Sequence, residues 1–193
     1  MPNKLVAVVG MCGSGKSLLS DLLVKEGYGY VRFGQVILDE VKRRSLPPSE
    51  PLEREIRENF RKELGMAAIA ILNLPKFETL LAQGNVVGDG LYSWDEYKIL
   101  KEKYGDNLIV VAVYSPPQIR YERLEKRFSD ATDVNLRNRG FSRESAAARD
   151  VAEIENMAKG GPIAMANYTI LNIGTVEEYQ TKIQEFIKWL STR

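Results

Sequence analysis

The sequence predicts an α/β domain in which helices cover both faces of a parallel sheet, giving three α/β/α layers. Apolar runs typical of strands alternate along the 193 residues with segments of helical periodicity. The first run, LVAVV at 5–9, contains no polar residue, as expected for a strand buried on both faces. A glycine-rich loop follows it directly. The length suits one domain, and we expect residues 1–193 to form it.

Five strands are predicted from β-branched and apolar runs that end in turn-forming residues. They lie at 5–9, 30–33, 85–90, 107–115 and 168–174. The fourth run, NLIVVAVYS, is the strongest and stops at Pro116-Pro117. Because helical segments separate these strands, we expect all of them to pair in parallel.

Seven helices are predicted from apolar residues at helical spacing. The first ends at Gly27, and the others lie at 36–44, 49–65, 66–84, 117–128, 142–161 and 176–190. The third has Ser49 as a predicted N-cap and Pro51 in its first turn. Its buried stripe is predicted to be Leu52, Ile56, Phe60 and Leu64. The fourth is expected to bend or restart near Pro75, and the polar residues 129–142 are predicted to form a mobile loop.

Composition excludes several classes of protein. The 27 basic and 26 acidic residues leave a net charge of +1, which gives no overall field for nucleic acid or an anionic membrane. The single cysteine, Cys12, allows no internal disulfide and favours a reducing, cytoplasmic setting. The absence of histidine rules out a His-based triad and most zinc sites, so catalysis must rest on other side chains or a bound metal.

The loop after the first strand has the spacing G-x-x-x-x-G-K-S, which predicts a phosphate cradle. Its glycines let successive backbone N–H groups point at phosphate oxygens, and the helix N-terminus adds partial positive charge. We expect Lys16 to reach the β- and γ-phosphates and Ser17 to ligate Mg²⁺. The predicted ATP-binding residues here are Gly10, Gly13, Ser14, Gly15, Lys16, Ser17 and Leu18. For Cys12, a backbone role is favoured over a redox role of its thiol.

The rest of the chain favours a phosphotransferase over a switch or a motor. No guanine-reading N-K-x-D is present, and a motor would need further motifs. Asp89 ends a predicted strand in GDG, where a carboxylate faces the ligand crevice and can hold Mg²⁺ or orient an acceptor. The alternative for this segment is a simple turn.

Four groups of side chains extend this prediction. Arg123 and Arg127 lie four residues apart on one helical face and are predicted to neutralise the migrating phosphoryl group. A lid that excludes water is predicted to carry Arg137, Arg139, Arg143 and Arg149, with a solvated charged face as the alternative. Arg54, Arg57 and Arg61 either hold the acceptor or form the wet face of their helix. Tyr92 and Trp94 either stack on the acceptor or pack in the fold.

Seven segments together carry a resemblance to a known family. In chain order they are GMCGSGKS, FGQVILDEVKRR, RKELGMAAIA, VVGDGLYSWDE, RYERLEKR, ARDVAEIE and ANYTILNIGTVEEY. With this order and spacing the chain resembles the nucleoside-monophosphate-kinase branch of P-loop kinases, and more closely archaeal-type proteins related to dephospho-CoA kinase or adenylate kinase. The resemblance implies a P-loop NTPase fold with strand order 2-3-1-4-5, an acceptor region at 34–84 and a lid at about 127–148. It also implies that the turn at 172–175, with Asn172 and Gly174, packs against adenine.

The chain departs from that family at the acceptor side. Leu91 and Tyr92 follow Asp89-Gly90 where adenylate kinases have an arginine that grips the acceptor phosphate. Gln35 and Asn167 stand where acidic residues are usual. We therefore expect Mg²⁺-dependent transfer from ATP to a small, nucleotide-like acceptor, by a monomer or homodimer that binds neither nucleic acid nor membrane. The alternatives are an ATP-binding regulator and a slow ATPase.

Overall fold

A computed structural model describes residues 2–130 and 140–193, with only the backbone given for 128–130. Five parallel strands form one sheet in the order β2-β3-β1-β4-β5, which confirms the predicted α/β fold and its strand order. The strands are β1 Leu5–Val9, β2 Gly29–Arg32, β3 Val86–Asp89, β4 Leu108–Tyr114 and β5 Tyr168–Leu171. Each of the paired strands runs in the same direction, so all of their carboxyl ends meet at one edge of the sheet.

Nine α-helices connect and cover these strands within the described residues. They are α1 Lys16–Lys25, α2 Gln35–Arg43, α3 Glu50–Leu64, α4 Ala68–Leu81, α5 Trp94–Tyr104, α6 Pro117–Asp130, α7 Arg143–Met157, α8 Gly160–Ala164 and α9 Val176–Leu190. A short 3-10 turn, Gly105–Asn107, precedes β4.

Alternate residues of the central strand, β1, pack into two separate hydrophobic cores. Leu5, Ala7 and Val9 of β1 face the cluster that contains apolar residues of α2 to α5. Val6 and Val8 face the opposite cluster, which contains buried residues of α1 and α9. All five residues of β1 are fully buried, because helices cover both faces of a strand in the middle of a three-layer domain and leave neither face exposed to solvent.

The observed elements differ from the prediction at four places. Helix α5 was not predicted, although the Ser93–Glu96 capping box marks its start. The helix predicted at 142–161 is two helices, since Ala158 has a φ of 47° and ends α7. Helix α4 continues through Pro75 without a restart. In α3, Leu64 is 40% exposed and does not extend the buried stripe.

No single helix among the described residues has the length and apolar content to cross a bilayer, whereas α3 and α4, bent by 84° at their junction, pass that test only as a pair.

Candidate active site

The phosphate loop depends on glycine at positions where the chain approaches other backbone and side-chain atoms. Gly13 has a φ of 79°, and a Cβ there would lie 2.8 Å from the carbonyl oxygen of Arg120. Gly15 has a φ of 104°, and its Cβ would collide with the side-chain amide of Asn172. Both positions therefore need glycine for conformation and for space. Helix α1 begins at Lys16, directly after the loop, so the N-terminus of the helix lies at the phosphate loop.

Lys16 extends over this loop rather than into solvent. Its Nζ donates to the carbonyl oxygens of Gly10 at 2.9 Å and Met11 at 3.0 Å. Burial, together with the positive charge of Lys159, lowers the pKa of Lys16 to about 8. The lysine is thus held where it can exchange loop carbonyls for phosphate oxygens. Ser17 and Leu18 line the same space.

Asn172 and Tyr179 support the loop from the side of β5 and α9. The Asn172 amide donates to the Ser14 carbonyl at 2.8 Å, and the Tyr179 hydroxyl donates to the Gly15 carbonyl at 3.1 Å. Asn172 and Gly174, which were expected beside adenine, both line the cleft. The side chain of Asn172 nevertheless has a second task, which is to fix the shape of the loop.

Helix α6 places two of the predicted arginines beside the loop. Arg123 donates to the Ser115 hydroxyl at 3.1 Å and to the side-chain oxygen of Asn172 at 3.1 Å. Arg127 lies one turn later, and both arginines line the cleft. The guanidinium of Arg123 is therefore oriented by two side chains that carry no charge, so these partners do not neutralise its positive charge.

Arg120, which the sequence did not single out, holds this region together. It forms a buried, two-point ion pair with Asp150 of α7, with one N–O distance of 3.0 Å. The same guanidinium donates to the carbonyl oxygens of Cys12 at 3.1 Å and Ser115 at 3.0 Å. The backbone of Cys12, as expected, is what contributes to this network.

Asp89 lies at the carboxyl end of β3, opposite Arg32 in the β2–β3 register. The Tyr30 hydroxyl donates to its carboxylate at 2.9 Å. Asp89 and Ser17 line one cleft, and both offer the oxygen ligands that Mg²⁺ prefers. The described part of the chain contains no group of three or more Asp, Glu or Cys side chains placed so that they could hold a metal ion by themselves. Such a pair fits a Mg²⁺ ion that takes its other ligands from phosphates and water.

The cleft has a volume of about 1310 Å³ and runs from the phosphate loop to α3. Arg54, Arg57 and Arg61 all line its far side. Arg57 is paired with Glu50 at 2.8 Å, and its side chain is 25% exposed. Helix α3 therefore lines the cleft with arginines and acidic residues together, and Arg57 pairs with both Glu50 and Glu53.

A second polar cluster, which we call the Glu153 cluster, lies between the loop and α3. It consists of Tyr92, Arg149, Glu153 and Lys159. Glu153 accepts hydrogen bonds from the Tyr92 hydroxyl at 2.9 Å, Arg149 Nε at 2.8 Å and Lys159 Nζ at 2.6 Å. Burial alone opposes ionisation of Glu153, but the charges of Lys159 and Arg149 outweigh it and lower its pKa to about 2.

Glu96 lies in the wall of the cleft beside this cluster. One of its oxygens caps α5 by accepting the backbone N–H groups of Tyr92 at 2.8 Å and Ser93 at 3.3 Å. The other oxygen, Oε1, is buried and has no hydrogen-bond partner among the described residues. Burial consequently raises the pKa of Glu96 to about 7.

The predicted site residues fall into three groups in the structure. Gly13, Gly15, Lys16, Ser17 and Leu18 share the cleft with Asp89, Arg123, Arg127, Arg57, Arg61, Tyr92 and Arg149, whereas Gly10 and Ser14 do not line it. Arg143 is exposed on the first turn of α7, and Arg137 and Arg139 lie outside the described residues. Trp94 stacks on Tyr97 with ring centroids 5.0 Å apart, so it is a packing residue.

Sequence reasoning missed Glu96, Glu153 and Lys159. The capping-box spacing of Ser93 and Glu96 predicts the start of a helix, but it does not predict that one oxygen of Glu96 is buried without a partner among the described residues. Glu153 and Lys159 gave no signal, because charged residues on a helix and beside a glycine pair usually face solvent. Asn167, noted as a departure, accepts the Val110 N–H at 2.8 Å and joins β4 to the segment before β5.

Comparisons with known proteins agree with this architecture. The profile of an AAA domain matches residues 6–158. A UPF0200 protein of Thermococcus onnurineus is 34% identical over 186 residues, covering 95% of this chain and 96% of the relative. Shikimate kinase from Bacteroides thetaiotaomicron superposes with a TM-score of 0.59 at 14% identity, covering 97% of this chain and 98% of that one. A gluconokinase from Sinorhizobium meliloti gives 0.54 at 16% identity, covering 99% and 97%.

Proposed function

We propose that this chain, which belongs to the UPF0200 family and contains an AAA domain, transfers the γ-phosphoryl group of ATP to a small acceptor in a Mg²⁺-dependent reaction. The P-loop kinase-like fold supports the general reaction class. For the acceptor, we favour a nucleotide-like molecule such as a nucleoside monophosphate or dephospho-CoA. The arginine face of α3 supports this choice, because arginine forks suit phosphate oxygens.

The observation that carries the proposal is that one cleft contains both the phosphate loop and the arginines of α3. The phosphate loop forms one end, Arg57 and Arg61 line the other, and Asp89 lies on the wall of the same cleft. A site that only hydrolysed ATP would need no second cationic surface. A transferase needs one, because donor and acceptor must be held together for direct transfer.

Each group in the cleft has a part in this reaction. The loop N–H groups and Lys16 would bind the β- and γ-phosphates of the donor. Arg123 and Arg127 would stabilise charge on the transferred group, with Arg123 already oriented by Ser115 and Asn172. Mg²⁺ held through Ser17 and Asp89 would neutralise phosphate charge, and Asp89 would also orient the acceptor.

The proposal is tested by replacing Lys16 and supplying a panel of acceptors. Wild-type protein with MgATP should form ADP only when one of the nucleoside monophosphates, dephospho-CoA, shikimate or gluconate is present. Lys16→Ala should lower that rate by at least about 100-fold, because the removed charge acts on the reacting phosphates. ADP formation and the phosphorylated product are both measured by chromatography.

Lys25→Ala is the matched control, since Lys25 is exposed at the last turn of the same helix. It should react at the wild-type rate. ADP formed at one rate with and without every acceptor would identify a slow ATPase and contradict transfer. Binding of ATP without any ADP would instead favour the regulatory protein.

A further inference from the structure

The Glu153 cluster contains two cations and one carboxylate. Lys159 and Arg149 both pair with Glu153, which is itself only 2% exposed. Its three hydrogen bonds occupy most of what a carboxylate can accept. The two positive charges of Lys159 and Arg149 therefore exceed the single negative charge of the carboxylate that they share.

Each cation keeps hydrogen-bond donors that Glu153 does not use. Lys159 Nζ donates to Glu153 and lies 4.3 Å from the centroid of the Tyr92 ring, which leaves at least one of its three N–H groups for another partner. Arg149 uses Nε on Glu153 and lies 5.2 Å from the centroid of the Phe141 ring, and its two terminal nitrogens form no hydrogen bond with another described residue. Its side chain is 38% exposed and lines the cleft.

The neighbouring groups do not restore the balance. Arg61 Nε is buried and has no hydrogen-bond partner in the described part of the chain. Glu96 interacts with Lys159, yet its raised pKa of about 7 leaves it partly protonated at neutral pH. Of the other carboxyl groups that line the cleft, Glu50 and Glu53 pair with Arg57. Because two cations share one carboxylate at the wall of the cleft, the local surplus of positive charge favours the binding of an anion there.

We propose that Lys159 and Arg149 form an anion subsite that binds a phosphate or carboxylate group carried by the acceptor itself. This inference rests on the proposed function, since it assigns the acceptor to the part of the cleft beside the phosphate loop. Lys159 would act as a specificity-determining residue, and Glu153 would position it. An acceptor that lacks a negative charge would leave the surplus uncompensated and bind less tightly.

The subsite is tested with pairs of probes that differ only in the anion. Protein saturated with MgADP, which occupies the phosphate loop, is titrated calorimetrically with each nucleoside monophosphate and its nucleoside, and with shikimate and its methyl ester. At least one anionic member should bind about 10-fold more tightly than its neutral partner. The nucleotide and shikimate arms distinguish a phosphate from a carboxylate.

In Lys159→Gln, this preference for the anion should fall to within about 2-fold, whereas Lys159→Arg should retain it. The double variant Glu153→Gln/Lys159→Gln, which leaves no unpaired buried carboxylate, should behave as the single variant does. Lys103→Gln is the matched control, because Lys103 pairs with Glu78 on the surface away from the cleft.

Equal weakening of the charged and neutral probes in Lys159→Gln would show a structural role and overturn the subsite. So would a wild-type protein that prefers the anion in none of the pairs. These titrations need no turnover. A chain that bound an anionic probe through Lys159 but never formed ADP would contradict phosphoryl transfer and leave the subsite standing.

Discussion

The two halves of the cleft are held in shape by different kinds of contact. The donor half, which we define as the phosphate loop and the side chains that bond it, is fixed by donors to backbone carbonyl oxygens of the loop, among them Asn172, Tyr179 and Arg120. The proposed acceptor half, which we define as the Glu153 cluster and the cleft-lining residues of α3, is fixed by ion pairs, with Glu153 binding Lys159 and Arg149. In the proposed reaction, a rigid loop would present N–H groups to any triphosphate, whereas a set of charges would select among acceptors by the charge of the acceptor.

Helix α7 connects the halves. Its Asp150 pairs with Arg120, which donates to the Cys12 carbonyl of the phosphate loop. Less than one turn later, Glu153 organises the acceptor side. Movement of α7 would therefore disturb both halves, and separating their contributions requires variants on either side of it.

The largest effect should come from breaking the Arg120–Asp150 pair. Asp150→Ala leaves a buried guanidinium without its carboxylate and should lower the free energy of unfolding by about 3–5 kcal/mol, measured by urea denaturation. The double variant Arg120→Met/Asp150→Leu should recover part of this loss, because no charge remains buried.

The control is Asp95→Ala, which removes a partner of Lys98 from an exposed pair. It should change the free energy of unfolding by no more than about 1 kcal/mol. If Asp150→Ala cost no more than this control, the pair would not be the connection between the halves.

The donor half was predictable because its chemistry is contiguous. Eight consecutive residues from Gly10 to Ser17 specify a loop, a helix N-terminus and a lysine, and the apolar run before them specifies a central strand. The sheet order followed from the resemblance to P-loop kinases and is observed. Local pattern and global fold agree at this end of the molecule.

The acceptor half was not predictable in the same way. Tyr92 and Glu153 are 61 residues apart, and the sequence around either residue does not predict that the two form a hydrogen bond. The break between α7 and α8 places Lys159 inside the cleft, but a continuous helical pattern over 142–161 concealed that break. Pairing between distant charged residues depends on tertiary packing, which a single sequence does not encode in any short pattern.

A smaller effect is expected from Glu96, and it appears as a dependence on pH. Its pKa is about 7 in the folded chain against an ordinary value of 4.5, so the folded state binds the proton more tightly. Stability from this group is thus fully present below about pH 4.5 and is lost as pH rises to about 7. The predicted loss is about 2–3 kcal/mol at neutral pH.

Glu96→Gln should abolish this decline between pH 5 and 7 while preserving the cap of α5, because the amide oxygen can still accept the backbone N–H groups. Urea denaturation at several pH values measures it, and the absence of histidine leaves few other groups that titrate in this range. Glu178→Gln, in the exposed capping box of α9, should keep the wild-type profile. An unchanged decline in Glu96→Gln would show that another group causes it and that Glu96 does not have a raised pKa, as when water satisfies its second oxygen.

The smallest effect concerns the neutral contacts of the donor half. Asn172→Ala removes the bond to the Ser14 carbonyl and one partner of Arg123, so it should weaken MgATP binding by about 5–10-fold in calorimetric titration. Asn167→Ala also removes a side-chain amide, but one that bonds Val110 at the start of the β4–β5 pairing. It should lower stability by about 1 kcal/mol and leave MgATP affinity unchanged. Equal MgATP affinities in the two variants would mean that the loop keeps its shape without Asn172, and that its glycines and the Arg120 network suffice.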